Sequence, residues 1–405
     1  MWRHNQKKGF IGQIIANAGS RFAYLALITH IHNNYSESKS YFVEYLVYAV
    51  AAASILSWSV CQYSVIVDDQ KTLQLLSANR YHFCLTISVL LIITILVLCA
   101  RYFLSFALLP LFGLLSIVGM LIVNEIALST NTLIKKESRT IIYYATTFYL
   151  YASGLLLSVL TNLTWNQIIL VSSFPGLIGI IFYFNKISKT FLADKQNFKS
   201  TLYSRTLILM GNVSVIFMQP LAIGILSQNS NQNSAATTTE FLMLLSISGM
   251  VAFGFGNYFQ FYGREKIASY MQAITLGGSH RLLIDPLLVL LGCCLLAIPA
   301  SILYHYMKTG QVNANLSYSL ILSVGFYAAS VIHSQWFSAV SIKMGRQIYT
   351  LYSNLIFSSI ILLQLWGDFT NTHETILFSS LIKLIFEIIL HKQIINFDKR
   401  LNDKK

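Results

Sequence analysis

Twelve apolar stretches succeed one another along this chain, at approximately 9–30, 42–66, 83–100, 103–127, 140–160, 166–184, 206–227, 238–261, 284–304, 316–340, 347–366 and 375–391. An α-helix rises about 1.5 Å per residue, so roughly 20 apolar residues cross a hydrocarbon core about 30 Å thick. A membrane β-barrel would instead show alternating segments of about ten residues. The pattern therefore predicts an all-α integral membrane protein with twelve transmembrane helices. The gaps between the stretches are too short for an additional soluble domain.

The polar gaps are not equivalent. Twenty-three of the 28 basic residues fall in alternate gaps and at the two termini, with Lys39, Arg101 and Lys308 in the gaps between. Lys and Arg collect on the cytoplasmic side of membrane proteins, so the basic gaps and both termini are predicted to be cytoplasmic. The longest basic gap, residues 186–205, follows the sixth stretch. It divides the chain into an N-terminal six-helix bundle at 1–185, a cytoplasmic basic linker at 186–205 and a C-terminal six-helix bundle at 206–405. A faint internal echo agrees with that division: Asn17 precedes Glu44 across a polar hairpin, and Asn212 precedes Glu240 across another at nearly equal spacing. Both copies begin on the cytoplasmic side, as expected of a parallel repeat.

Composition narrows the picture. The chain is 55% hydrophobic and 11% charged, more apolar than a soluble fold can conceal. Its net charge of +13 is spread over short membrane-flanking segments. It therefore reads as topogenic charge attracted to anionic lipid, with no nucleic-acid partner. The five cysteines all lie in or beside apolar stretches and read as small hydrophobes. The first stretch follows a basic tail without a small-residue cleavage pattern and reads as a retained helix. Tyr41, Trp165, Trp336 and Trp366, near span ends, read as interfacial anchors. All five prolines lie in or at the edge of spans, where they serve either as static kinks or as hinges.

A few polar residues inside the spans are candidates for function. Arg21 lies past the middle of the first span, where a guanidinium cannot face lipid cheaply. Gln13, Asn17, Arg21 and Tyr24 recur at helical steps and form a polar stripe. Two readings stand: a buried structural arginine satisfied by carbonyls, Glu44 or Glu240, or a cation that receives an anionic substrate group. A guanidinium's forked donors suit phosphate. Asn212 and Gln219, beside Pro220 in the seventh span, could line the same cavity. Lys383 is the other intramembrane cation, but Glu387 lies one turn on. That pair is either self-neutralised or an ion-coupling site, and Glu125 is a further coupling candidate for protons or sodium. His333, close in sequence to Tyr327, Ser330 and Ser334, reads as a hydrogen-bonded packing residue or a proton relay. No cofactor or metal signature is evident, and no HExxH, CxxC or phosphate-binding glycine loop suggests an enzyme.

The segment ANAGSRFAYLALITHIHNNYSESKSYFVEYLVYAV with its exit WSVCQYSVIVDDQKTL, and SRTLILMGNVSVIFMQPLAIGIL in the second half, resemble corresponding helices of the bacterial O-antigen and polysaccharide flippases. These belong to the multidrug/oligosaccharidyl-lipid/polysaccharide (MOP) exporter superfamily. The turn SESKSYF departs from many relatives in lacking glycine. The resemblance implies a V-shaped, MATE-like pair of six-helix bundles in the bacterial inner membrane that works by alternating access. It implies an undecaprenyl-pyrophosphate-linked oligosaccharide as cargo, moved from the cytoplasmic to the periplasmic leaflet, with Arg21 in a cationic cavity. A polysaccharide polymerase and a chain-length regulator are the expected partners. A cation-coupled drug antiporter of the same superfamily is the nearer alternative. An O-antigen polymerase is more remote, because the outer gaps are short and almost uncharged.

Overall fold

A computed structural model describes residues 281–310, 317–367 and 371–402 continuously, together with residue 26 and scattered residues at 156–160 and 203–252. Among the described residues all regular structure is helical. The chain divides into two compact units, Met1–Asn212 and Val213–Lys405. The continuous part lies in the second unit and forms four helices: α1 (Arg281–Thr309), α2 (Tyr318–Lys343), α3 (Gln347–Trp366) and α4 (Thr372–Asn402).

Segments of α1, α2 and α3 are each long and apolar enough to cross a membrane. In α1 the apolar residues run around the whole helix, and Leu287, Leu288, Leu291 and Leu295 remain exposed on the surface that lipid would cover. Pro286 and Pro299 both lie inside α1, which nonetheless continues from Arg281 to Thr309. Helix α2 is the opposite case. It is rich in Ser and Ala, carries one glycine, Gly325, and is buried around most of its circumference. Small residues let neighbouring backbones approach, which is how helices associate where lipid removes the hydrophobic drive. Gly325 shows the tolerance: a Cβ there would lie 2.7 Å from Cys294 Sγ and 3.0 Å from Cys294 Cα on α1.

The relative directions of the helices follow from their cross-links. Ser323 and His333 on α2 meet His373 and Glu387 on α4 in rising order, so α2 and α4 run parallel. Ser353, Asn354 and Gln364 on α3 meet Glu387, Lys383 and Ser379 in falling order, so α3 runs antiparallel to α4. These are the directions that alternating membrane crossings require.

The tight turn between α2 and α3 has a local cause. Gly345 adopts φ +65°, a left-handed conformation that costs a residue with a Cβ energy. Its N–H donates to the Ile342 carbonyl at 3.1 Å, and the Arg346 N–H reaches back to Ser341 at 2.7 Å. This is the Schellman closure of a helix C-terminus. It lies in the basic gap that carries Lys343 and Arg346.

Candidate functional site

Helices α3 and α4 are amphipathic in reverse. On α4 the buried set includes Thr375, Ser379, Lys383, Glu387 and His391, in steps of four, whereas Phe378, Ile382, Ile385 and Ile389 are exposed. On α3 Gln347, Thr350, Ser353, Asn354 and Ser358 are buried, and Leu355, Leu363 and Trp366 face outward. A soluble helix hides its apolar stripe. Here the polar stripes are buried together with Phe357, Ile361, Ile376 and Leu384, and the exposed faces left for lipid are apolar.

Where the stripes converge, Glu387 is the hub. It is fully buried, and its Oε2 accepts from His333 Nδ1 of α2 at 2.9 Å. Its Oε1 accepts from Ser353 Oγ of α3 at 2.7 Å and lies 3.6 Å from Lys383 Nζ one turn back on α4. Lys383 in turn donates to Asn354 Oδ1 at 3.0 Å and stands 4.7 Å from the centre of the Phe357 ring. A carboxylate only accepts, so the His333 nitrogen facing it carries the proton of that bond. The His391 ring lies 6.3 Å from that of His333 and 6.0 Å from that of Phe337.

A second polar cluster lies at the other end of α4. His373 Nε2 is 2.8 Å from Glu240 Oε1, both partly exposed, and Ser323 Oγ donates to the His373 carbonyl at 2.7 Å. Tyr304, near the end of α1, is a close neighbour of the same carboxylate. Glu240, His373, Ser323 and Tyr304 all fall at helix ends predicted to be on one side of the membrane. From His373, about ten residues of rise bring Lys383 about 15 Å deeper, halfway across a core of about 30 Å.

The sequence-predicted residues divide accordingly. Lys383 and Glu387 do come together, and His333 joins them. Glu240, one of the carboxylates considered for Arg21, is engaged by His373. Gln13, Asn17, Arg21, Tyr24, Glu44, Glu125, Asn212 and Gln219 lie outside the described residues. Sequence reasoning missed Ser353, Asn354 and His391, although the four-residue polar step on α4 and the polar stripe on α3 could have revealed them.

An all-helical membrane protein with polar stripes turned inward belongs to a restricted set of architectures. No family model and no curated protein sequence matches the chain. Solved structures do, and the fold is that of the MATE transporters of the MOP superfamily. An outward-facing multidrug-resistance MATE transporter of that superfamily aligns with TM-score 0.60 at 13% identity, over 96% of this chain and 95% of its own. A MATE transporter in complex with Br-NRF gives TM-score 0.61 at 12% identity, over 97% and 96%. A MOP transporter from Pyrococcus furiosus gives 0.56 at 13%, over 96% of both chains; the reversed polarity of its binding pocket suggests a different function for that protein. These are transporters rather than enzymes, and at such identities the likeness is one of fold.

Proposed function

We propose that the chain is an alternating-access flippase for an undecaprenyl-pyrophosphate-linked oligosaccharide, moved from the cytoplasmic to the periplasmic leaflet of a bacterial inner membrane. The observation that carries this reading is Arg21, an arginine deep in an apolar span with no acidic residue one turn away on its own helix. An isolated cation there calls for an anionic counterpart. A pyrophosphate supplies one, in the geometry that a guanidinium recognises best. Support also comes from the transporter fold along nearly the whole chain and from the local resemblance of the first and seventh helices to polysaccharide flippases. On this reading Gln13, Asn17, Tyr24, Asn212 and Gln219 are further candidates for contact with the cargo, and a polymerase and chain-length regulator would receive the flipped unit.

The second reading is a cation-coupled drug antiporter, favoured by the likeness to a multidrug-resistance MATE structure. The test is genetic. In a host whose surface polysaccharide depends on this chain, Arg21→Ala should insert at wild-type abundance and abolish surface glycan, and Arg21→Lys should retain part of it. Wild-type glycan from Arg21→Ala would overturn the anion-site assignment. Drug sensitivity on deletion, with surface glycan intact, would favour the antiporter.

A further inference from the structure

We infer that the N-terminus of α3 is a binding site for the phosphate of one anionic phospholipid, whose acyl chain lies along the exposed face of the same helix. Such a site is more specific than a diffuse attraction of basic gaps to lipid, and it does not depend on the identity of the cargo.

The first N–H groups of a helix have no acceptor within it, and the aligned peptide dipoles place partial positive charge there. Helices commonly answer with a Ser, Thr, Asp or Asn cap or with an acid in the first turn. Helix α3 has neither: Arg346 stands at its N-cap, no side chain makes a capping bond, and the first turn carries no acid. The last turn of α2 brings Lys343, which is exposed, to the same place. The Schellman closure uses the N–H groups of Gly345 and Arg346. Those of Gln347 and Ile348 come next, at the helix end. Backbone donors flanked by two cations suit a phosphate.

Thr350 is the second, independent observation. It is 4% exposed, and its hydroxyl makes no hydrogen bond among the described residues. In a helix the Cα–Cβ bond tilts toward the N-terminus, so a side chain covers the turn before its own Cα. The Thr350 hydroxyl is thus aimed back at the start of α3. A buried donor without a partner is costly, and a phosphate oxygen relieves that cost.

Depth selects the occupant. With Lys383 midway across the membrane, Glu387 and the Ser353 bonded to it stand about 6 Å further along α4, and Gln347 is about 9 Å beyond Ser353. The α3 N-terminus therefore lies about 15 Å from the midplane, where a hydrocarbon core of about 30 Å gives way to headgroups. From there Ile348, Tyr352 and Leu355 descend at helical steps, and Tyr352 and Leu355 are exposed. A phosphate at the helix end and an apolar chain along that stripe belong to one kind of molecule, a phospholipid. The anionic kind fits, because a zwitterionic headgroup brings its own ammonium toward Lys343 and Arg346. Bound there, the lipid ties the turn between α2 and α3 to the leaflet in which the basic gaps lie.

The test is native mass spectrometry of the full-length chain in detergent, titrated with phosphatidylglycerol or phosphatidylethanolamine. One phosphatidylglycerol should bind about tenfold more tightly than phosphatidylethanolamine, and Arg346→Ala should remove about that factor. Thr350→Val should weaken binding about threefold or more, and Thr350→Ser, which keeps a hydroxyl, should restore it. Lys392→Ala, which removes a charge from the exposed face of α4 at the same end, should leave binding unchanged. Equal weakening by Lys392→Ala and Arg346→Ala overturns the proposal in favour of diffuse attraction. Undiminished binding in Thr350→Val, or equal affinity for the two lipids, also overturns it. Displacement of phosphatidylglycerol by millimolar inorganic phosphate overturns the assignment to a lipid.

Discussion

Glu387 ties three helices together through its two oxygens, and the cost of removing it is predictable. Glu387→Ala leaves Lys383 as a buried charge without its carboxylate and strands the donors of His333 and Ser353. Breaking a buried pair from one side costs about 3–5 kcal/mol, whereas replacing both charges by apolar groups of similar volume is often close to neutral. Thermal unfolding in detergent should therefore show a large loss for Glu387→Ala and a much smaller one for Lys383→Met combined with Glu387→Met. If the double variant is as unstable as the single one, the pairing does not account for the stability. At this scale the sequence was legible only within one helix. The i,i+4 spacing exposed Lys383 and Glu387, but the partners from α2 and α3 depend on which faces meet. No local pattern assigns His333 to Glu387 rather than to the serines and tyrosine close to it in sequence.

At the scale of the element, hydropathy located the four continuously described helices well. The predicted stretches 284–304, 316–340, 347–366 and 375–391 fall on α1 to α4, with α3 coinciding from end to end. Helix α4 runs on past 391 to Asn402 because KQIINFDKRLN is polar yet a competent helix; hydropathy detects lipid contact, and helicity continues into water. Close packing was less visible, since a glycine in an apolar span has several explanations. The contact between Gly325 and Cys294 gives this one a definite role. Gly325→Leu should force α1 away from α2 and destabilise the protein by about 1–3 kcal/mol. Gly292, whose Cβ would meet nothing within 4 Å, should accept the same change with little loss. Thermal unfolding of the two variants side by side checks the pair, and equal losses would contradict the packing argument.

For the whole molecule, the alternation of basic gaps predicts that the 186–205 linker is cytoplasmic and that SQNSNQNSAATTT, before Glu240, is periplasmic. Reporter fusions or cysteine labelling at the two sites should report opposite sides of the membrane; signals on the same side would break the twelve-helix topology. The fold class was legible because lipid imposes strict rules on length and charge. The cargo was less so, because one fold serves multidrug transporters and at least one relative with a pocket of reversed polarity. On the proposed reading, recognition of the cargo rests on individual polar residues, above all Arg21.

The most direct test uses purified protein in vesicles carrying a fluorescent undecaprenyl-pyrophosphate-linked oligosaccharide in both leaflets, with a membrane-impermeant quencher added outside. Wild-type protein should make the inner pool accessible, and Arg21→Ala, incorporated equally well, should leave it as protected as in protein-free vesicles. An unprotected inner pool with Arg21→Ala, or a protected one with wild-type protein, would contradict the account.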